Sequence, residues 1–278
     1  AALFGIPSSI FAILGPLHLF MQFWYHTQLI GKLGLLEYIL VTPSHHRVHH
    51  AINSEYIDKN YSQILIIWDK IFGTFQPELD SVKPVYGTLK PMRTWNPVII
   101  NFRHLWHLIK DAWHAKRIID KIRIWFMPTG WRPKDVEEKF PLEIINDPKK
   151  QIKYETKNST ILIAWSWIQL TITNILMFHF FISLSTFSSI LNYLYAFILI
   201  LNIFSFTSLL DQRRYSLIAE SIKIILVFSL FYYQSFSWYG LEGLFAYIVG
   251  IYFITSFILN IFFHNEKNTN SAIAKTAI

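Results

Sequence analysis

Apolar and polar positions fall in long blocks along this chain. Residues 1 to about 40 are mostly apolar, residues 42–158 are polar, basic and aromatic, and residues 159–264 are apolar again with short breaks. The last block divides into four runs, at 161–184, 190–210, 222–238 and 241–263. Each is close to the roughly 17–25 residues that a helix needs to cross a bilayer. The first block holds one comparable run from Leu3 to Trp24, interrupted by Pro7 and Gly15-Pro16. Pro16 predicts a kink, and the run reads as a single span or as a re-entrant or interfacial segment. A shorter apolar piece, 33–41, follows it. In the middle block, 98–126 has amphipathic helical spacing, with Trp106, Trp113 and Trp125 set among Lys110, Lys116, Arg117, Lys121 and Arg123. Such a helix suits a membrane surface, and suits equally a packed face of a cytoplasmic domain. Pro128 to Pro133 end it, and the charged, proline-broken stretch 134–158 reads as a linker.

The pattern predicts an all-α integral membrane protein, a helical transmembrane bundle with a cytoplasmic region between its apolar blocks. Five segments are expected: 1–41 membrane-embedded, 42–133 cytoplasmic, 134–158 linker, 159–264 four spans and 265–278 a cytoplasmic tail. Composition agrees. Of the 278 residues 53% are hydrophobic and only 15% charged, where soluble domains carry about a quarter charged. The net charge of +7 matters through its placement, since residues 42–158 hold 19 of 25 Lys and Arg against 13 of 18 acids. Asp211-Gln212-Arg213-Arg214 links the second and third spans of the last block, whereas the links on either side carry no basic residue. Positive charge thus recurs at alternate ends, which puts 42–158 on the cytoplasmic side. Glu220 and Lys223, three apart at the predicted edge of the third span, read as interfacial anchors that could pair. There is no cysteine, so disulfides and thiolate-held metals are excluded. No nucleic-acid motif is present.

The densest chemical signal is Thr42-Pro43-Ser44-His45-His46-Arg47-Val48-His49-His50, which holds four of the eleven histidines. Thr42 and Pro43 suit the N-cap and first position of a helix. His46, His49 and His50, at i, i+3 and i+4, would then share a face. Neutral imidazole binds iron, zinc and copper, so the spacing points to a metal without naming it. His26, closing the first apolar run, is the next candidate, although alone it reads as an interfacial anchor. His18 reads as structural. His104, His107 and His114 lie in a basic, Trp-rich setting that favours a surface face. His179 and His264 have no role. Asp58, Asn60 and Asp69 read as turn and cap formers, with orientation of imidazole N–H groups as the alternative.

His46-Arg47-Val48-His49-His50 resembles the last His-x-x-His-His box of the fatty-acid-hydroxylase and sterol-desaturase superfamily. Gln22 to Thr27, Leu36-Glu37, Ile57 to Tyr61, Leu65 to Phe75, Val85-Tyr86-Gly87 and Leu209 to Arg213 narrow the resemblance to its alkylglycerol monooxygenase family. The resemblance is close between residues 20 and 90 and looser beyond. It implies a di-iron centre, to which His26, His46, His49 and His50 contribute as ligands, with His45, the doubled histidine, as a further candidate. It implies dioxygen and an alkylglycerol-type membrane lipid as substrates and tetrahydrobiopterin as electron donor. It also implies an endoplasmic reticulum membrane. The reaction would be hydroxylation of the carbon beside the ether oxygen, with release of a fatty aldehyde. Two further histidine boxes belong to that pattern and are absent here. They are expected in an upstream part of the same protein, so this chain alone is expected to be inactive. Two other readings stand beside this one: a sterol or fatty-acyl hydroxylase or desaturase of the same superfamily, and a non-catalytic membrane protein that binds metal or lipid.

Overall fold

The computed structural model describes residues 5–276, with side chains left aside at residue 8 and from 265 onward. The side chains of the expected tail therefore lie outside the described residues. Among the described residues there are ten α-helices and no β-strand beyond isolated bridges. The chain folds as two compact units. The first takes residues 1–91 and 142–152, and the second takes 92–141 and 153–278. These units cut across the five segments read from the sequence, because residues 142–152 of the linker pair with the first unit through Ile145 N–H on the Leu89 carbonyl (2.8 Å).

The first unit contains α1 (Ser8–Phe23), α2 (Pro43–His49) and α3 (Ile67–Phe72). Helix α1 has 16 residues, about 24 Å at 1.5 Å per residue, which is short of a full span. Pro16 lies inside it, and none of its described residues is buried. The rest of the unit is loop with two short 3-10 helices, Gly34–Tyr38 and Pro148–Lys150, and the loop is held by side chains that take over the work of a sheet. Asn60 donates to the carbonyls of His45 (3.1 Å) and Gln76 (2.8 Å) and accepts from Gln76 N–H (2.9 Å). Asp69 accepts from Tyr61 N–H, Ser62 N–H and the Thr74 hydroxyl. Burial pushes its carboxyl up, but these bonds outweigh burial and hold it below the ordinary carboxylate range. Tyr56 donates to the Val82 carbonyl (2.7 Å) and centres a small apolar core with Val48 and Ala51. The turn-and-cap reading of Asn60 and Asp69 is what the structure contains.

The second unit contains α4 (Pro97–His114), α5 (Ile118–Arg123), α6 (Lys134–Lys139) and four long helices, α7 (Thr160–Ser183), α8 (Ser189–Leu210), α9 (Tyr215–Tyr233) and α10 (Gly243–Thr276). The stretch 98–126 is therefore not one helix. Ala115, in extended conformation, ends α4, and a buried Asp111–Arg132 ion pair (2.6 Å) fixes the turn. Helices α7, α8, α9 and the 243–264 part of α10 are each long and apolar enough to cross a membrane. Each packs on its sequence neighbour, and α10 also meets α8. Their outward faces are apolar, with Ile161, Trp167, Ile175 and Ile182 exposed on α7, as lipid requires. One end of the bundle is filled by Tyr195, Ile198, Val227, Phe231, Trp238 and Phe253.

The other part of the interior is polar, and it corrects the reading of Glu220 and Lys223 as interfacial anchors. Helix α9 begins at Tyr215, so Lys223 lies about 12 Å along it at 1.5 Å per residue. Both residues are fully buried. Lys223 Nζ is 2.7 Å from Glu220 Oε1 and donates to Asn202 Oδ1 (2.6 Å) and Ser256 Oγ (3.0 Å). Ser256 donates to Glu220 Oε1 (2.7 Å) and lies 3.1 Å from Gln169 Oε1. Asn202 donates to Thr173 (2.8 Å) and Tyr252 (2.7 Å), and Ser205 donates to Glu220 Oε2. All four spans contribute. The two charges broke the apolar run in the sequence and made the helix look shorter than it is.

Candidate metal centre

Helix α2 begins as its sequence suggests, with Thr42 at the N-cap and Pro43 in the first turn, and Thr42 and His45 close a reciprocal capping box. At about 100° per residue, His46 and His50 fall within 40° of one another, while His49 stands about 60° to the other side of His46. The structure follows this division. His46 Nε2 and His50 Nε2 lie 3.0 Å apart. His26 Nε2, from the loop after α1, lies 2.9 Å from the former and 3.2 Å from the latter. These three are the His or acid trio that could hold a metal ion among the described residues.

Three imidazole nitrogens at this spacing cannot satisfy one another. His26 Nδ1–H donates to the Gln22 carbonyl (2.8 Å), which leaves a lone pair on His26 Nε2. Whatever tautomers His46 and His50 adopt, one side of the triangle then sets lone pair against lone pair or N–H against N–H. A single cation bonded to all three removes the conflict. Ligand nitrogens about 2.0–2.1 Å from a metal sit roughly 3 Å from each other, which matches the sides of this triangle. His46 and His50 are also held toward the neutral, ligating form. Burial, then the neighbouring His50, His26 and His49, hold the His46 imidazole down to about 3. Burial, then His49 and His26, also push His50 below its ordinary value. The His26–Gln22 bond is the orienting contact that a metal-bound histidine needs on its second nitrogen. The residues present therefore fit a histidine-held metal.

His45 and His49 are not brought to the same point. His45 is buried, its Nδ1 accepts from Thr42 N–H (3.4 Å), and its ring also bonds the Leu40 backbone. His45 Nδ1 thus serves the start of α2. His49 is exposed, with its ring centroid 5.1 Å from that of His50 and 6.2 Å from that of Tyr61. His18 accepts from Gln22 (2.9 Å) and so stands behind the His26 contact. His114 donates to the Lys110 carbonyl (2.7 Å), and the 104, 107 and 114 set forms no metal cluster among the described residues.

Sequence reasoning missed the residue that holds His26 in place. Arg47, inside the box itself, donates to the carbonyls of Thr27 (3.1 Å) and Ile30 (2.8 Å). Its other edge grips both carboxylate oxygens of Glu78, at 2.5 to 3.1 Å. The loop carrying His26 is thereby tied to α2 by one planar guanidinium. A charged residue between histidines was the available signal, but its partner lies 31 residues on. Glu37 steadies the other side of α2 by accepting from Ser44 (2.8 Å), Thr42 (3.2 Å) and Leu33 N–H (2.9 Å). The triangle opens into a cleft of about 400 Å³, lined by Tyr25, Gln28, Tyr86, Gly87 and Thr88 beside the histidines and Arg47.

Residues 1–74 match the fatty acid hydroxylase family. Over 226 residues the chain is 36% identical to human alkylglycerol monooxygenase and 34% identical to that of Xenopus tropicalis, covering 81% and 80% of this chain. Each alignment takes in 50% of the relative, so the chain spans about half the length of the curated proteins it matches. A shorter stretch of 73 residues, 26% of this chain and 22% of the relative, is 34% identical to the ornithine lipid hydroxylase OlsE of Rhizobium tropici. No solved structure matches the chain.

Proposed function

We propose that this chain, a homologue of the alkylglycerol monooxygenases whose first 74 residues are of the fatty acid hydroxylase family, forms part of a membrane di-iron monooxygenase acting on ether-linked lipids. The observation that carries the reading is the triangle of His26, His46 and His50 Nε2 atoms, with sides of 2.9 to 3.2 Å. His26, His46 and His50 would hold one iron, and His49, exposed beside His50, would face a second. His45 is assigned to the helix cap. Three or four imidazoles do not fill the shells of two metal ions, so a di-iron centre would need further ligands beyond these.

Bound iron would supply activation of dioxygen. One oxygen atom would enter the C–H bond beside the ether oxygen, and the other would leave as water with two electrons from tetrahydrobiopterin and two protons. The resulting hemiacetal opens to a fatty aldehyde and a glycerol. This chain's residues set the stage for that. Arg47 and Glu78 fix His26 against α2, and Gln22 fixes its tautomer. The low basicity of His46 and His50 keeps their lone pairs free near neutral pH. Tyr25 and Tyr86 wall the cleft. The charge distribution supports a cytoplasmic face for the histidine unit, within a multi-pass protein of the endoplasmic reticulum.

The test is metal content and turnover in the protein containing this chain together with the rest of its reading frame. His46→Ala and His50→Ala should each lose iron and tetrahydrobiopterin-dependent release of fatty aldehyde from an alkylglycerol, while still inserting in membranes. Full iron and turnover in either variant would sink the assignment. Turnover of a sterol or fatty acid in place of the ether lipid would favour the sibling hydroxylase reading.

A further inference from the structure

Helix α4 is built inside out for a soluble protein. Phe102, Leu105, Trp106, Ile109 and Trp113 recur at helical spacing and fall within a stripe about 100° wide. All five are exposed, Trp113 at 81%. The opposite face is the one that packs, since Asp111 on it is buried against Arg132. Helix α5 and the turn after it continue the pattern, with Ile118, Ile122, Trp125 and Phe126 exposed, the last at 84%. A contiguous apolar surface of this kind marks a site that something covers.

Three further observations say what covers it. The first is position. Asn96 caps α4 by accepting from Val98 and Ile99 N–H, and its amide donates to the Phe204 carbonyl (3.1 Å) and Ser208 Oγ (2.7 Å) in the last two turns of α8. Helix α4 therefore starts at the end of a membrane-crossing helix, level with the turn that carries Arg213 and Arg214. The second is charge. Lys110, Lys116, Arg117, Lys121 and Arg123 flank the stripe, and Asp120, buried between Arg117 and Arg123 at 3.9 and 3.7 Å, offsets one of these five charges. The third is residue type, because Trp beside Lys, with Lys110 Nζ 5.4 Å from the Trp106 ring centroid, suits the headgroup level of a bilayer.

We propose that α4 and α5 lie in the plane of the bilayer that α7 to α10 cross, with the Trp106–Trp113–Phe126 surface in the acyl boundary and the flanking cations on acidic phospholipid headgroups. The surface is then a lipid-binding site as well as an anchor.

Because the chain has no cysteine, single introduced cysteines can carry a polarity-sensitive fluorophore at chosen points. The protein would be reconstituted in phosphatidylcholine vesicles, with and without phosphatidylserine, whose acyl chains carry bromine near the headgroup. Labels at Trp113→Cys and at Phe126→Cys should be blue-shifted and strongly quenched, and a label at Glu138→Cys should stay aqueous and unquenched. Phosphatidylserine should deepen quenching at both stripe positions. Replacing Lys110, Lys116 and Arg117 together by Gln should remove that dependence and leave the quenching seen in pure phosphatidylcholine. Each cation near an anionic leaflet is worth about fivefold in local binding, which makes the loss easy to read. Stripe labels no more quenched than the Glu138 position would overturn the placement. Equal quenching in both lipids for the unaltered charges would overturn the headgroup assignment. Both labels sit on exposed positions, so loss of folding is not a competing explanation.

Discussion

The histidine unit and the four-helix bundle both concentrate polar groups, and they satisfy them in opposite ways. In the bundle, Glu220 and Lys223 are sealed from solvent and lipid, and side chains from all four spans close on them. In the histidine unit, three ring nitrogens converge at a cleft with no set of hydrogen bonds that serves all of them. A polar cluster whose charges are paired reads as a fastening, and a polar cluster that is frustrated reads as a site awaiting a ligand. The supporting networks differ as well. Asn60, Asp69 and Arg47 in the histidine unit bond mainly to backbone, so they set loop geometry. Asn202 and Ser256 bond to side chains on other spans, so they set helix against helix.

The largest expected effect tests whether the bundle cluster is a fastening. Lys223→Met leaves Glu220 buried without its cation, and breaking a buried pair in this way costs about 3–5 kcal/mol. Unfolding in mixed detergent should show that loss. The double change Glu220→Gln with Lys223→Met removes the charge as well as the partner, and should recover most of it. If the double variant is as unstable as the single one, the pair is more than a fastening. The histidine unit, a separate compact body, should keep its metal in either case.

A smaller effect is expected where one residue holds the frustrated cluster together. Arg47→Lys retains the charge but cannot bond two carbonyls and a bidentate carboxylate together. His26 would then be free to leave α2. Metal affinity should fall about 10–100-fold, as for other contacts that orient ligands, with the helix content of the protein unchanged. The matched control is Lys32→Gln, which removes the exposed Lys32–Asp80 pair and should leave affinity alone. An affinity loss of similar size in both variants would mean that Arg47 acts through general charge.

Much of the architecture was legible in the sequence, and the misses share a cause. Four spans and the Thr42-Pro43 helix start follow from local spacing, which one element can express alone. Three features depend on partners far along the chain. Glu220 and Lys223 look like a helix edge until Asn202 and Ser256 are placed beside them. Arg47 looks like a solvated cation until Glu78 arrives from 31 residues away. Asp111, four residues before the break at Ala115, finds its partner in Arg132, 21 residues on. Within the site, i, i+3, i+4 spacing groups His46, His49 and His50, but a ring nitrogen has a direction that spacing does not contain.

That last point carries the finest prediction, because His45 and His46 are neighbours with the same chemistry and different duties. His45 turns its Nδ1 to the Thr42 backbone at the start of α2, while His46 turns its Nε2 to His26 and His50. His45→Ala opens the capping box, for which a loss of about 1 kcal/mol is usual. The buried site it leaves beside Phe75, now 5.5 Å from the ring centroid, would add a packing loss to that. Metal stoichiometry should stay at the parent value, and the thermal midpoint alone should drop. His46→Ala should do the reverse, losing metal while the metal-free protein keeps its melting behaviour. Loss of metal in the His45 variant at temperatures where the fold is intact would place His45 among the ligands. The contrast between a sealed and an open polar cluster would then have to be drawn within α2 itself.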